Sequence, residues 1–89
     1  MPRVIFTSNL QRHIDCAESR VAAGRVGAAL AEVFARQPQA RGYVLEEQGQ
    51  LRKHVVIFIA GRRVRDRERL SDAVGESSEV YVMQALTGG

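Results

Sequence analysis

The segment from Val26 to Phe34 constrains the fold more than any other part of the chain, because its apolar residues repeat with a helical period. They fall at i, i+3, i+4, i+7 and i+8, which places them on one helical face: Val26, Ala29, Leu30, Val33 and Phe34. The alanines between them favour helix, and Pro38 ends it at about Arg36 or Gln37. A single apolar stripe in 89 residues predicts one small domain whose helix covers one face of a sheet.

Runs of β-branched and aromatic residues between turn residues indicate the strands. Strands are predicted at residues 3–6, in part of 14–21, at 54–59 and at 80–86. Shorter elements are a further short helix in residues 39–45, a hairpin partner in 62–65, and a turn or single helical turn in 70–74. One main helix among these strands predicts an α+β fold.

The two most apolar strands present different side chains on their two faces, because side chains alternate along a strand. The purely aliphatic face is assigned to the helix side: Val55, Ile57, Ile59, Val80 and Val82. The opposite face carries a second apolar set: Val56, Phe58, Tyr81, Met83 and, nearer the end, Leu86. A solvated sheet face is normally polar, so this face predicts a partner-binding surface. The alternative is that the N-terminal segment folds over it.

The composition argues against several classes of protein. The longest apolar run, residues 55–60, is strand-sized and too short to cross a bilayer. The first residues lack a signal-peptide layout. We therefore expect a cytoplasmic protein with no membrane partner. A single cysteine, Cys16, excludes an internal disulfide framework and a cysteine-based metal site.

No catalytic or metal-binding constellation is predicted in the chain itself. His13 and Cys16 are three residues apart, but a nucleophile would need a base and an orienting group as well. Glu46 and Glu47 are adjacent in a turn and are expected to point apart. Gly24 and Gly27 lack the spacing and the lysine of a phosphate-binding loop. We expect no metal, no bound cofactor and no enzymatic activity.

The net charge of +3 is concentrated in "RRVRDRER", residues 62–69, where five arginines face Asp66 and Glu68. Such a run can bind nucleic acid or an acidic partner. It can also be a solvated hairpin and loop with internal ion pairs. Because no aromatic residues for base stacking interleave with the arginines, nucleic acid is not expected and the solvated loop is favoured.

Two stretches carry a resemblance to a known family: "GQLRKHVVIFIAGRRVRD", residues 49–66, and "SSEVYVMQALTGG", residues 77–89. The first looks like a strand and turn followed by "VR", and the second like a final strand and diglycine tail. The chain resembles the ThiS/MoaD small sulfur-carrier family over nearly its whole length. The resemblance implies a ubiquitin-like β-grasp fold, with a mixed sheet of four to five strands packed on one main helix. It also implies one domain over residues 1–87 and a flexible tail, Gly88 and Gly89.

The resemblance further implies how the tail is used. An E1-like adenylating enzyme uses ATP to adenylate the carboxylate of Gly89. A sulfur donor then displaces AMP and leaves a thiocarboxylate. A downstream synthase accepts the sulfur, with molybdopterin- or cysteine-type pathways favoured over thiamine. Glycine at positions 88 and 89 suits entry into a narrow site, since it has no Cβ. The apolar sheet face would bind the activating enzyme.

Two alternatives remain open from the sequence. The chain could be a ubiquitin-like modifier that is joined to lysines, or an interaction module that binds through its apolar sheet face. A small basic RNA-associated domain is a third reading, which predicts binding that weakens steeply with salt.

The turn at residues 60–63 is basic, where many members of the resembled family have Asn and an acidic pair. That difference affects the choice of partner.

Overall fold

The computed structural model describes residues 1–7, 10 and 18–84 of the chain. Its strands are β1 Arg3–Phe6, β2 Glu18–Arg20, β3 Gly24–Arg25, β4 Val55–Ile59, β5 Arg62–Arg63, β6 Ala73–Val74 and β7 Glu79–Gln84. Its helices are α1 Val26–Arg36 and α2 Pro38–Val44. The predicted strand at 3–6 and both predicted helices are confirmed. The second strand occupies only 18–20 of the predicted 14–21, and residues 14–17, 85 and 86 of the predicted strands lie outside the described residues.

Five strands form one mixed sheet in the order β2-β1-β7-β4-β5. The pair β1 and β7 is parallel, whereas β1–β2, β7–β4 and β4–β5 are antiparallel. The last strand in sequence, β7, therefore lies in the centre, where its backbone bonds to strands on both sides. The prediction of an α+β fold with a mixed sheet is confirmed.

The core lies between α1 and one face of this sheet. The five buried residues of α1 are the five of the predicted stripe, Val26, Ala29, Leu30, Val33 and Phe34. From the sheet, the core takes the alternate residues that the aliphatic pattern assigned to the helix side: Val55, Ile57, Ile59, Val80 and Val82. Val4 and Phe6 of β1 belong to it as well, and further residues come from α2 and from the segments outside the main strands. Neither of the described helices, α1 and α2, covers the other face of the sheet.

The start of α1 is capped by a distant loop rather than by a side chain. Arg25 at the N-cap makes no side-chain bond to the helix. Instead, the amide of Val26 donates to the carbonyl of Asp72 at 2.8 Å, and that of Gly27 donates to the carbonyl of Leu70 at 2.9 Å. A Cβ on Gly27 would lie 3.1 Å from the same Leu70 oxygen. Glycine therefore allows the loop to approach the helix closely enough to satisfy two of its unpaired amides.

The interpretation of residues 70–74 as a turn or helical turn was wrong at Ala73–Val74. These two residues form β6, which pairs antiparallel with β3 in a separate two-stranded sheet. A two-residue strand is too short to show alternation, so the pairing has no signal in the sequence pattern. The predicted hairpin after β4 is present, and Ala60 and Gly61 both have positive φ, 50° and 81°. Such angles occur in the tight turns that match strand twist.

Candidate functional site

The uncovered face of the sheet carries a continuous group of apolar side chains across its three central strands. In the strand register, Ile5 lies beside Tyr81 and Tyr81 lies opposite Phe58, while Met83 lies opposite Val56. Directly opposed side chains contact each other on the same face. We name this group the apolar strip: Ile5, Val56, Phe58, Tyr81 and Met83.

The predicted division of the two faces is confirmed for Phe58, Tyr81 and Met83, which are half-buried and lie outside the core cluster. Val56 departs from the expectation of an exposed residue, since it is only 8% exposed. It belongs to β4, which has a neighbouring strand on each side. Leu86, the fifth predicted partner-binding residue, lies outside the described residues. A partner-binding role for this set stays a prediction.

Ile5 belongs to the strip but was not among the predicted partner-binding residues. It is half-buried and alternates with the fully buried Val4 and Phe6. The alternation of side chains in residues 3–6 could have identified Ile5, because it places Ile5 on the face opposite Phe6. Because β1 lies within the sheet, the described N-terminal strand widens the strip instead of covering it.

A group of charged side chains borders the strip beyond Ile5. Arg3 donates to Glu18 at 2.8 Å and also to Glu79, so it links β2, β1 and β7. The hydrogen bond and charge of Glu18, together with Glu79, raise the pKa of the Arg3 guanidinium above its ordinary value. The strip therefore has an apolar centre and a polar edge, the arrangement found in protein interfaces.

The tail predicted to carry the chemistry follows directly from the central strand. β7 ends at Gln84, which pairs with Val55 at the start of β4. Gly88 and Gly89 lie outside the described residues. The described end of β7 therefore lies beside Met83 and Val56, at one end of the apolar strip, and five residues follow it in the sequence.

The arginine run does not form the internal ion pairs that were favoured for it. Among the described residues, no arginine side chain of residues 62–69 pairs with a carboxylate. Arg67 is the one that turns inward, and its guanidinium donates to the carbonyl of Arg52 at 2.8 Å. Arg62, Arg63 and Arg65 are exposed.

These three exposed arginines line a groove of about 620 Å³ at the end of β4. We name it the arginine groove, and it is lined by Ile59, Ala60, Arg62, Arg63, Arg65, Asp72, Ala73 and Ser78. The carboxylate of Asp72 accepts the backbone amides of Arg65 and Asp66, at 3.0 and 2.9 Å. Sequence reasoning found the basic run but not the groove, which depends on a chain segment about ten residues away.

Asp66 organises the loop that follows the groove. Its carboxylate accepts the hydroxyl and amide of Ser71 and the amide of Arg69. The hydrogen bond from the Ser71 side chain, followed by that from the Arg69 amide, lowers the pKa of Asp66. Its role in the described structure is to hold the loop, and it does not neutralise the neighbouring arginines.

Other candidate sites are limited in the part of the chain that the structure describes. Across residues 1–7, 10 and 18–84, no three His, Cys, Asp or Glu side chains come together as metal ligands. His13 and Cys16 lie outside that part. Glu46 pairs with Arg52 at 2.9 Å. Neither described helix has both the length and the apolar character needed to cross a membrane.

The sequence matches no protein-family model, and a search of curated proteins gave no match either. Solved structures do match. SAMP1 from Haloferax volcanii has a TM-score of 0.82 at 20% identity, over 99% of this chain and 98% of that one. A chain of the Amycolatopsis orientalis BexX/CysO complex has a TM-score of 0.84 at 17% identity, over 100% of both. Mycobacterium tuberculosis CysO has a TM-score of 0.81 at 18% identity, over 97% of this chain and 100% of that one.

These similarities extend over whole chains, so the length and architecture match as well as the topology. The fold is the ubiquitin-like β-grasp, which this chain shares with small archaeal modifier proteins and CysO. The resemblance predicted from the sequence is confirmed at the level of fold. At these identities the likeness leaves the chemistry of the tail to be tested.

Proposed function

We propose that this chain is a sulfur-carrier protein whose working group is the carboxylate of Gly89. An E1-like enzyme binds the apolar strip, adenylates the carboxylate with ATP, and lets a sulfur donor convert it to a thiocarboxylate. The carrier supplies no general base, metal or bound cofactor to this reaction. The accepting pathway is of the molybdopterin or cysteine type in preference to thiamine.

The observation that carries the proposal is the position of β7. It is the central strand of the sheet, it contributes Tyr81 and Met83 to the strip, and it leads directly towards Gly88 and Gly89. A partner that binds the strip therefore holds the base of the tail in a fixed place. Fixing one end of a five-residue segment restricts where its carboxylate can go, which favours reaction at a neighbouring site.

The chemistry follows from the weakness of a carboxylate as an electrophile. A carboxylate oxygen attacks the α-phosphorus of ATP, pyrophosphate leaves, and the acyl carbon then carries AMP as a good leaving group. A hydrosulfide-equivalent donor attacks that carbon, the C–O bond to AMP breaks, and a C–S bond forms. Residues without Cβ atoms at 88 and 89 leave both faces of the carbonyl open to attack.

The test is intact mass spectrometry of the untagged protein isolated from its own host, with reagents that preserve labile thiocarboxylates. A species in which one oxygen is exchanged for one sulfur, located at Gly89, is the expected result. A chain that continues beyond Gly89, or one that carries only a plain carboxylate under preserving conditions, contradicts the proposal.

Deletion of Gly89 should abolish adenylation by the activating enzyme while leaving the melting temperature unchanged, because the tail lies beyond the last strand. ATP–pyrophosphate exchange measures the first quantity and circular dichroism the second. The matched control is replacement of Thr87 by Ser, which preserves tail length. An undiminished exchange rate after the deletion would show that the tail is not the substrate.

Protein modification is the second candidate, since SAMP1 is named small archaeal modifier protein 1. It uses the same activated carboxylate but ends in an amide bond to a lysine instead of a thiocarboxylate. Proteomic detection of peptides that carry this chain's Gly-Gly remnant on lysines of other proteins would favour it. A sulfur-bearing species without such remnants would favour the carrier alone.

A further inference from the structure

The proposed function leaves the arginine groove without a role. It lies between the β4–β5 turn and the segment that contains Asp72, Ala73 and Ser78. Its volume of about 620 Å³ is enough to accept several side chains of another molecule. Ile59, Ala60 and Ala73 give it an apolar lining, and arginines form much of its rim.

The groove has unbalanced positive charge. Within the described residues, the guanidinium groups of Arg62, Arg63 and Arg65 make no ion pair or hydrogen bond. Asp72 is the single acidic lining residue, and its oxygens are directed to backbone amides. Three cations around one carboxylate, in a concave site, attract anions and raise their local concentration.

The groove meets the apolar strip at one residue, Arg63, on the edge strand β5, while Ile59 and Arg62 line it from the opposite face of the sheet. Arg63 on β5 pairs with Phe58 on β4, and Phe58 in turn lies opposite Tyr81. By alternation, Arg63 shares the face of Phe58, and it also lines the groove around the edge of the sheet. A molecule that covers Phe58 and Tyr81 therefore reaches the groove by extending around the β5 edge past Arg63.

The occupant is better explained as protein than as nucleic acid. No aromatic side chain is among the residues that line the groove, so bases have no stacking platform there. The adjoining surface is made of Ile, Phe, Tyr and Met, which are typical of protein interface cores. Carboxylates fit the planar, forked guanidinium group well and can accept two bonds from it.

We propose that the arginine groove binds an acidic segment of the same protein that docks on the apolar strip. This inference rests on the proposed function, because it takes the docked protein to be the activating enzyme. The apolar strip provides the buried contact, and the groove selects among enzymes by charge. Charges at an interface edge act mainly on association rate and on the choice of partner.

The test uses the E1-like adenylating enzyme encoded in the same genome, with steady-state pyrophosphate release as the readout. The variant Arg62→Glu/Arg65→Glu reverses two groove charges that make no internal contact and leaves Arg63 and the strip unchanged. The control, Arg36→Glu/Arg41→Glu, makes the same change in net charge on the two helices, away from the uncovered sheet face.

We expect the groove variant to raise the KM for the carrier about tenfold or more with kcat unchanged. The wild-type KM should rise between 50 and 500 mM salt, as screening shortens the range of the attraction, and the groove variant should lose that dependence. The control should keep the wild-type KM. Melting curves check that each variant is folded. If Arg62→Glu/Arg65→Glu is poorly folded, the neutral variant Arg62→Gln/Arg65→Gln replaces it in the assay.

The outcomes separate the two proposals. A wild-type chain that no such enzyme adenylates overturns the proposed function and this inference with it. An adenylated wild type whose groove variants keep the same KM overturns the inference alone, as does an equal rise in KM for the control. Binding of a single-stranded RNA that depends on Arg62 and Arg65, with no effect on adenylation, would reassign the groove to nucleic acid.

Discussion

Ile57 and Met83 lie in adjacent strands of the sheet but face opposite surroundings. Ile57 is fully buried against the helix, whereas Met83 is half-buried on the apolar strip. The sequence pattern separated them because side chains alternate and because one face is purely aliphatic. Because their burial differs, truncating the two side chains should lower the free energy of unfolding by different amounts.

Ile57→Ala should lower the free energy of unfolding by about 2–5 kcal/mol, the usual range for removing a fully buried aliphatic side chain. Met83→Ala should lower it by about 1 kcal/mol, since only part of its surface is removed from water. Urea denaturation with a shared m-value measures both. Equal losses in the two variants would mean that Met83 is as deeply packed as Ile57.

Sequence reasoning succeeded where a residue's environment depends on its own strand and failed where it depends on neighbours. The exposure of Phe58, Tyr81 and Met83 followed from the alternation of side chains along their strands. The burial of Val56 did not, because it depends on the residues that surround it in the fold and not on the alternation of its own strand. The free state of Arg62 and Arg65 was also missed, since Asp66, the nearest acid in sequence, is committed to Ser71 and Arg69.

At the scale of elements, the loop of residues 64–72 connects three parts of the fold. Asp66 and Asp72 hold its shape through backbone amides. Leu70 and Asp72 then accept the first amides of α1. The sequence predicted α1 to within a residue from its period, but this cap could not be predicted, because it consists of backbone carbonyls from a segment more than 40 residues away.

The loss of folding stability at acid pH should depend on Asp66. Its folded-state pKa is lowered by Ser71 and Arg69, and an unfolded Asp titrates near about 3.9. Its contribution is therefore fully present above about pH 5 and is lost as the pH falls through 3.9 towards the folded pKa.

Asp66→Asn should consequently flatten the fall in stability between about pH 5 and pH 2. Urea midpoints at each pH provide the measurement. Glu68→Gln, an exposed acidic neighbour, is the control and should leave the slope unchanged. If the stability of Asp66→Asn falls as steeply with decreasing pH as that of the wild type, Asp66 is not the cause of the fall.

At the scale of the whole molecule, the fold separates the surface that maintains stability from the surface available to partners. α1 and α2 cover one side of the sheet, and the apolar strip occupies the other. The overall architecture was predictable because element order and length leave few arrangements for one helix and several strands. The small β3–β6 sheet was not, since strands of two residues are too short to show a periodic pattern.

Phe58→Asp should raise the KM for adenylation by about tenfold or more, because it places a carboxylate within the apolar contact. The melting temperature should fall by only a few degrees, as Phe58 is half-buried and lies between Tyr81 and Arg63 of the neighbouring strands. Tyr43→Asp is the matched control, since Tyr43 is 42% exposed on α2 and outside the strip. A collapse of stability in Phe58→Asp would assign this residue to the core instead.

The parallel pairing of β1 with β7 also determines when the domain can form during synthesis. Arg3 and Glu79, which meet across these strands, are 76 residues apart. At about 5–20 residues per second, β1 waits roughly 4–15 s for its partner to be translated. Such long-range pairing slows folding in proteins of this size. Val4 and Phe6 are therefore synthesised well before the central strand of the sheet that buries them.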